Sequence, residues 1–357
     1  MVLSTRKTIQ MVCILGVLLL ASPALHAQDF LQKAKNYLDA GECEKAQKAY
    51  NAYKVEHPAG NAEVARRIAE CGKATPARDN SKTDLTFKVG DVSFKMVFVE
   101  GGTFTMGCTS EQGGDCDDDE KTYHNVMLGD YYIGEAEVTV GLFREFISET
   151  GYRTDAEKEG WARRWMQVDG EWKWNKVNGI NWMCDANGNV RNTSEDNHPV
   201  LYVSWNDAEE FCKWLSRKMD KTFSLPTEAQ WEYAARGGNR SNGYKYAGSD
   251  NINDVAWYGN RGGTADGKTH PVKSKKANEL GLYDMSGNVW EWCSDWYGSY
   301  SSSSQTDPRG PSSGSSRVLR GGGWCGGARR CRVSARDYGH PDYRDNGDGF
   351  RLAIVHR

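Results

Sequence analysis

Ten cysteines, seven histidines and one dense acidic run hold most of the chemistry this chain could perform. Cys325 and Cys331 stand in a glycine-rich stretch with five residues between them. Two such thiols can meet across a loop as a disulfide, share a soft metal ion, or stay apart as core residues. Cys108 and Cys116 bracket an acidic loop, and Cys43 and Cys71 flank a helical stretch, so each is a candidate pair. Cys212, Cys293 and Cys331 read equally well as buried free thiols. Asp115, Asp117, Asp118, Asp119 and Glu120 predict a solvated loop, with weak cation binding as the alternative. The histidines are scattered, and their spacing points to no metal site.

These groups need a scaffold, and composition describes its kind. Glycine is 39 of 357 residues and tryptophan 13, which points to loops pinned by aromatic rings rather than a helical bundle. Basic residues number 45 against 48 acidic ones, for a net charge of -3, which argues against a dedicated nucleic-acid binder. A hydrophobic share of 38% can supply a core.

Residues 1–27 read as a secretory signal peptide. Arg6 and Lys7 precede the apolar run Met11–Leu20, and Ala24-Leu25-His26-Ala27 offers a cleavage point. No later segment is long and apolar enough to span a membrane, so the expected location is periplasmic, secreted or cell-surface. Residues 28–72 predict a tetratricopeptide-like helical hairpin with a short third helix, a spacer or docking unit for an envelope partner. Residues 73–84 form a polar linker, and 85–357 the main domain. There, short strands flank Gly101-Gly102, and helices are predicted over 138–150, 207–218 and 227–235, with Ser204 or Asn206 capping the second. Asp169-Gly170, between Trp161, Trp165, Trp172 and Trp174, is a hairpin signal, as is Asn187-Gly188. The order of elements is α+β, not βαβ.

Several ordered blocks then stand out. They are Phe98–Gly107, Glu137-Val138-Thr139, Leu225–Gly238, Asn278–Trp292, Arg320-Gly321-Gly322-Gly323-Trp324, Cys331-Arg332-Val333 and Gly349-Phe350-Arg351-Leu352. Together they resemble the formylglycine-generating enzyme family, also called the sulfatase-modifying factor family, over roughly residues 94–355. The resemblance implies a loop-rich variant of the C-type lectin fold. It matches Asp284, Gly287, Val289 and Glu291 to a structural calcium loop, where two carboxylates and two carbonyls supply hard ligands. In catalytic members, two cysteines with four residues between them bind copper(I), which activates dioxygen and converts a sulfatase cysteine to formylglycine. Cys325 and Cys331 fall in that segment, but with five residues between them. Without the family name, Arg332, Arg336 and Arg351 read as bridges to loop carbonyls or to acids such as Glu232 or Asp284.

The closing segment also resembles the variable region of retroelement-diversified proteins, through Pro341-Asp342 and the Gly-Phe-Arg close. In that reading Cys325, Arg330, Asp337, Tyr338, His340, Tyr343, Asp345 and Asn346 form a ligand-binding surface, with the tyrosines as rigid contact area. The wider cysteine gap and the shortened segment favour an exported, non-catalytic protein that binds a protein or glycan. The alternative is a copper-dependent formylglycine-generating oxidase.

Overall fold

The computed structural model describes residues 23–39, 43–57, 60–70, 83–259 and 263–355. Most of the signal segment, Cys71 and most of the linker lie outside these residues, as does the proposed Cys43–Cys71 pair. The chain forms two compact units, Met1–Ser81 and Lys82–Arg357.

The first unit contains α1 (Pro23–Asp39), α2 (Cys43–Glu56) and α3 (Ala62–Glu70). Leu31, Ala34, Tyr50, Tyr53 and Val64 share its core. Asn61 accepts the Val64 amide at the start of α3, and the Tyr50 hydroxyl donates to the Asn61 carbonyl. The predicted third helix is therefore present. Among the described residues no helix is long and apolar enough to cross a membrane.

The second unit is α+β. A five-stranded antiparallel sheet runs in the order β1 (Leu85–Val89), β2 (Val92–Val99), β5 (Tyr131–Gly134), β14 (Ala353–Val355) and β8 (Phe223–Ser224). A smaller sheet holds β3 (Gly102–Met106), β4 (His124–Leu128) and β10 (Gln305–Thr306). A third carries β12 (Arg336–Gly339), β11 (Arg317–Arg320), β9 (Trp290–Trp296) and β13 (Asp348–Gly349). Strands β6 (Trp161–Val168) and β7 (Glu171–Asn178) form a separate hairpin, turned by Asp169 at φ 54° and Gly170 at φ 81°. Asn187-Gly188, also read as a hairpin, instead makes a turn closed by the single bridge Cys184–Val190.

The helices begin where capping chemistry starts them. Thr139, Thr154, Ser204 and Thr227 each accept an amide from the first turn of α4 (Val140–Thr150), α5 (Asp155–Glu159), α6 (Trp205–Met219) and α7 (Glu228–Ala235). A last short helix, α8, spans Ile252–Val255. Phe143 and Phe146 of α4 and Phe211 and Trp214 of α6 pack with Trp182 and Phe350. Every residue of α7 is buried, so it crosses the interior instead of lying on a surface.

Four buried arginines hold the late strands to the earlier chain. Arg320 pairs with Glu232, Arg332 with Glu120, Arg336 with Glu228 and Arg351 with Glu291. As expected, Arg332 donates to the Arg329 carbonyl, Arg336 to those of Asp119 and Gly298, and Arg351 to those of Gly134 and Tyr283, but the acids they pair with are neither Glu232 nor Asp284. The acidic run is solvated only in part: Asp115 and Asp118 are exposed, as expected, but the rest is not. Glu120 is fully buried, Asp117 meets Arg329 at 2.5 Å, and Asp119 accepts from Tyr297. The expected Cys108–Cys116 disulfide forms, and it closes this same loop.

Two measurements follow. Arg332→Met leaves the Glu120 carboxylate buried without its cation and should cost about 3–5 kcal/mol in denaturant unfolding, with E120Q/R332M recovering much of it. Burial pushes the Asp207 carboxyl to about 6 and that of Asp295 to about 7. The folded state thus holds these protons more tightly than the unfolded chain. Their contribution to stability is greatest below about pH 4 and falls as pH rises through 7. Asp295→Asn should flatten the fall in melting temperature between pH 5 and 8; an unchanged slope would assign it elsewhere.

Candidate functional site in the closing segment

The segment after β11 is set by a backbone that only glycine allows. Gly322 has φ 74°, and a Cβ there would lie 2.7 Å from the Arg330 carbonyl and 2.8 Å from the Cys331 sulfur. Trp324 then turns inward. Its indole donates to the Asn346 carbonyl at 2.6 Å, and its amide to the Asn288 carbonyl at 2.8 Å. Cys325 follows, half-buried beside Gly347. A 3-10 turn over Ala328–Cys331 returns the chain to the core, where Cys331 packs with Tyr246, Ile252 and Val255.

Both cysteines are free thiols. Burial pushes the Cys331 thiol up to about 12. Burial also raises Cys325, helped by the nearby carboxylates Asp345 and Asp348 and by Cys331 itself. Each is therefore protonated at neutral pH, and a metal would have to displace the proton. Only Cys325 is reachable from solvent. The donor pair suits a soft monovalent ion in kind. Among the described residues no three His, Cys, Asp or Glu side chains are grouped to hold a metal.

The predicted ligand surface divides. Tyr338 is 54% exposed, and Arg330 and His340 are also at the surface. The Tyr338 ring leans on Tyr297 at 4.3 Å, and His340 sits 2.6 Å from Asp342. Asp337 and Tyr343 are half-buried. Asp345 and Asn346 are not surface residues at all. Asn346 is an internal strut that accepts the Trp165 amide and donates to the Ala186 carbonyl. Asp345 accepts the Gly347 amide, and burial pushes its carboxyl to about 7. Adjacent Asp348 is raised further by burial and by Asp345, and its Oδ2 has no partner.

The proposed calcium loop is built, but its two acids differ. Asp284 and Asn288 take left-handed φ values of 57° and 63°. Asp284 Oδ2 accepts the Lys273 amide at 2.7 Å, whereas the buried Oδ1 has no partner. Burial pushes this carboxyl to about 6. Glu291 is already engaged by the Arg351 guanidinium and by the Trp231 indole. Sequence reasoning missed Glu137 as a site residue. It lies 3% exposed, accepts from Asn288 Nδ2 at 2.8 Å, and is pushed well up by burial and then by Asp284 and Glu291. A glutamate beside Val138, followed by the mostly apolar run to Phe143, was the available clue.

Two short spellings carry no chemistry here. Gly310-Pro311-Ser312-Ser313-Gly314 matches a nucleophile elbow, and residues 262–269, ending Gly267-Lys268-Thr269, match a phosphate loop. The first is an exposed loop, and Thr269 is buried against Arg191. Neither joins a strand to a helix among the described residues.

Comparison with known proteins fits this geometry. The family model described as the sulfatase-modifying factor enzyme 1-like domain matches residues 86–355. The formylglycine-generating enzyme of Streptomyces coelicolor is 37% identical, covering 72% of this chain and 88% of that protein. The inactive C-alpha-formylglycine-generating enzyme 2 of Bos taurus is 32% identical, covering 72% of this chain and 85% of its own length. Among solved structures, Treponema denticola variable protein 1 superposes with a TM-score of 0.58 at 30% identity, covering 78% of this chain and 99% of that one. The expectation of a protein without catalysis is therefore corrected. Matches to formylglycine-generating enzymes of 34–37% identity outweigh the one-residue difference in cysteine spacing that supported it. The chain belongs to the sulfatase-modifying factor enzyme 1-like family.

Proposed function

We propose that the main domain is an oxidase of the formylglycine-generating type, acting on a cysteine within a polypeptide. The observation that carries this reading is the half-buried free thiol Cys325, placed in the closing segment of a chain so similar to such an enzyme. Cys325 and Cys331 would hold copper(I), and the ion when bound would supply the activation of dioxygen. Cys325 is the thiol able to meet an incoming cysteine. Trp324 and Gly322 keep its backbone in place, and burial, with Asp345 and Asp348 nearby, keeps it protonated until the metal arrives. Taking the substrate cysteine to an aldehyde removes two electrons and releases sulfur as hydrogen sulfide. Dioxygen accepts four electrons, so a thiol reductant supplies the other two and the oxygen ends in the aldehyde and water.

Export is part of this proposal, supported by the leader segment and by the Cys108–Cys116 disulfide, since disulfides persist in oxidising compartments. The helical unit is proposed as a spacer or envelope-docking element. A calcium ion at Asp284, with the carbonyls of Gly287 and Val289, is supported by the unpartnered Asp284 Oδ1. The likeness to variable protein 1 favours a second role for the rim around Tyr338, His340 and Arg330, as contact surface for a protein or glycan ligand.

Reduced protein should bind about one equivalent of copper(I), and C325S and C331S should each weaken binding by roughly a hundredfold or more. With oxygen and a thiol reductant, mass spectrometry should find formylglycine in a cysteine-bearing sulfatase peptide. Absence of both copper binding and product would overturn the oxidase reading. Chelation should lower the melting temperature of the parent protein but not of D284N. If D284N responds like the parent, the calcium proposal is lost.

A further inference from the structure

The β6–β7 hairpin carries a surface that the reaction leaves unused. Its cross-strand register pairs Trp165 with Trp174, Gln167 with Trp172, and Arg163 with Lys176. Residues directly opposite share a face. Trp161, Trp165, Trp172 and Trp174 therefore project on one side together with Arg163 and Lys176. No carboxylate lies on that side of either strand. The opposite side holds Ala162 and Val177, which pack into the core. The Trp165 ring also packs partly against this core, but Arg163, Gln167, Lys176 and Trp174, the last 38% exposed, make the tryptophan side the outward one.

Three of the rings form one cluster, and Trp161 stands at the other end of the face, opposite Asn178. Trp165 lies 6.2 Å from Trp172 and 5.2 Å from Trp174, centroid to centroid. Trp161 is held between the Lys176 ammonium and the Arg344 guanidinium, each 4.2 Å away. The Trp165 indole N–H is buried without an acceptor. This face also joins the closing segment. Arg163 donates its amide to the Arg344 carbonyl at 3.1 Å, Trp165 donates to Asn346 Oδ1 at 2.9 Å, and the Arg163 guanidinium lies 5.4 Å over the Tyr343 ring. Asn346 and Gly347 then lead to Cys325.

We propose that the tryptophan face of this hairpin docks an extended acidic and apolar segment of the polypeptide partner, running from the hairpin toward Cys325. Flat rings of this kind give large contact area at low entropic cost. The excess of cations on the face selects carboxylates over basic side chains. The inference rests on the oxidase reading only in taking the partner to be a polypeptide.

The test uses a fluorescein-labelled peptide alternating aspartate and leucine, without cysteine, added to the full chain without copper. Anisotropy and tryptophan emission should both report binding that weakens with salt. W174A and K176E should each weaken it roughly tenfold while keeping the parent melting temperature. A peptide with lysine for aspartate should not bind. Equal binding of the lysine peptide, parent-like binding by both variants, or polygalacturonate binding with the same sensitivity to W174A would overturn the proposal. Because the probe cannot be oxidised, a negative oxidase assay leaves this result standing, and a negative result here leaves the oxidase assay standing.

Discussion

The closing half of the domain depends on guanidinium–carboxylate pairs withdrawn from water. Arg320, Arg332, Arg336 and Arg351 are each buried against a glutamate. A buried ion is costly alone, so each pair constrains two distant pieces of chain at once. Further bonds consume most of the remaining donors, Arg320 Nε excepted. Arg320 also meets the carbonyls of Val333, Ser334 and Ala335, and Arg351 those of Gly134 and Tyr283. A segment with few regular hydrogen bonds thereby gains a single conformation. The thiols inherit their placement from it.

The same network explains why acids near the thiols stay raised. Asp337, Asp345 and Asp348 form no ion pair with a described Lys, Arg or His, whereas Glu120 and Glu228, paired with arginines, are held below the usual carboxylate range despite burial. Burial is common to both sets, so the difference lies in whether a guanidinium is in contact. The scaffold is thus rigid where charges pair, and it holds unpaired carboxyl groups beside Cys325.

Local chemistry made much of this legible. Ser204, one of two candidates, caps its helix because a short hydroxyl beside an apolar-periodic run has few other uses, and Thr227, read as the first residue of its helix, is the cap instead. Asp169-Gly170 turns a hairpin because its φ values require such residues. The ordered Gly-Trp and Cys-Arg-Val blocks identified the family, and so the neighbourhood of the site. Partner choice was not legible. Arg332 reaches an acid 212 residues earlier, and Arg351 one 60 residues earlier, separations that only topology fixes. Asn346 read as a surface residue by type, yet the hairpin packed over it turns its amide into a strut. Glu137 read as part of a motif because nothing in sequence placed Asn288 beside it.

The order in which these pairs occur along the chain has a consequence for biogenesis. Glu120, Glu228, Glu232 and Glu291 all precede their arginines, which come from residues 320–351. While the chain is being made, its core carboxylates have no counter-charge and favour solvent over burial. The domain therefore cannot close from its N-terminal side as it emerges, and stays open until the arginines are present. Late, long-range closure of this kind is slow and leaves a transient with exposed apolar surface.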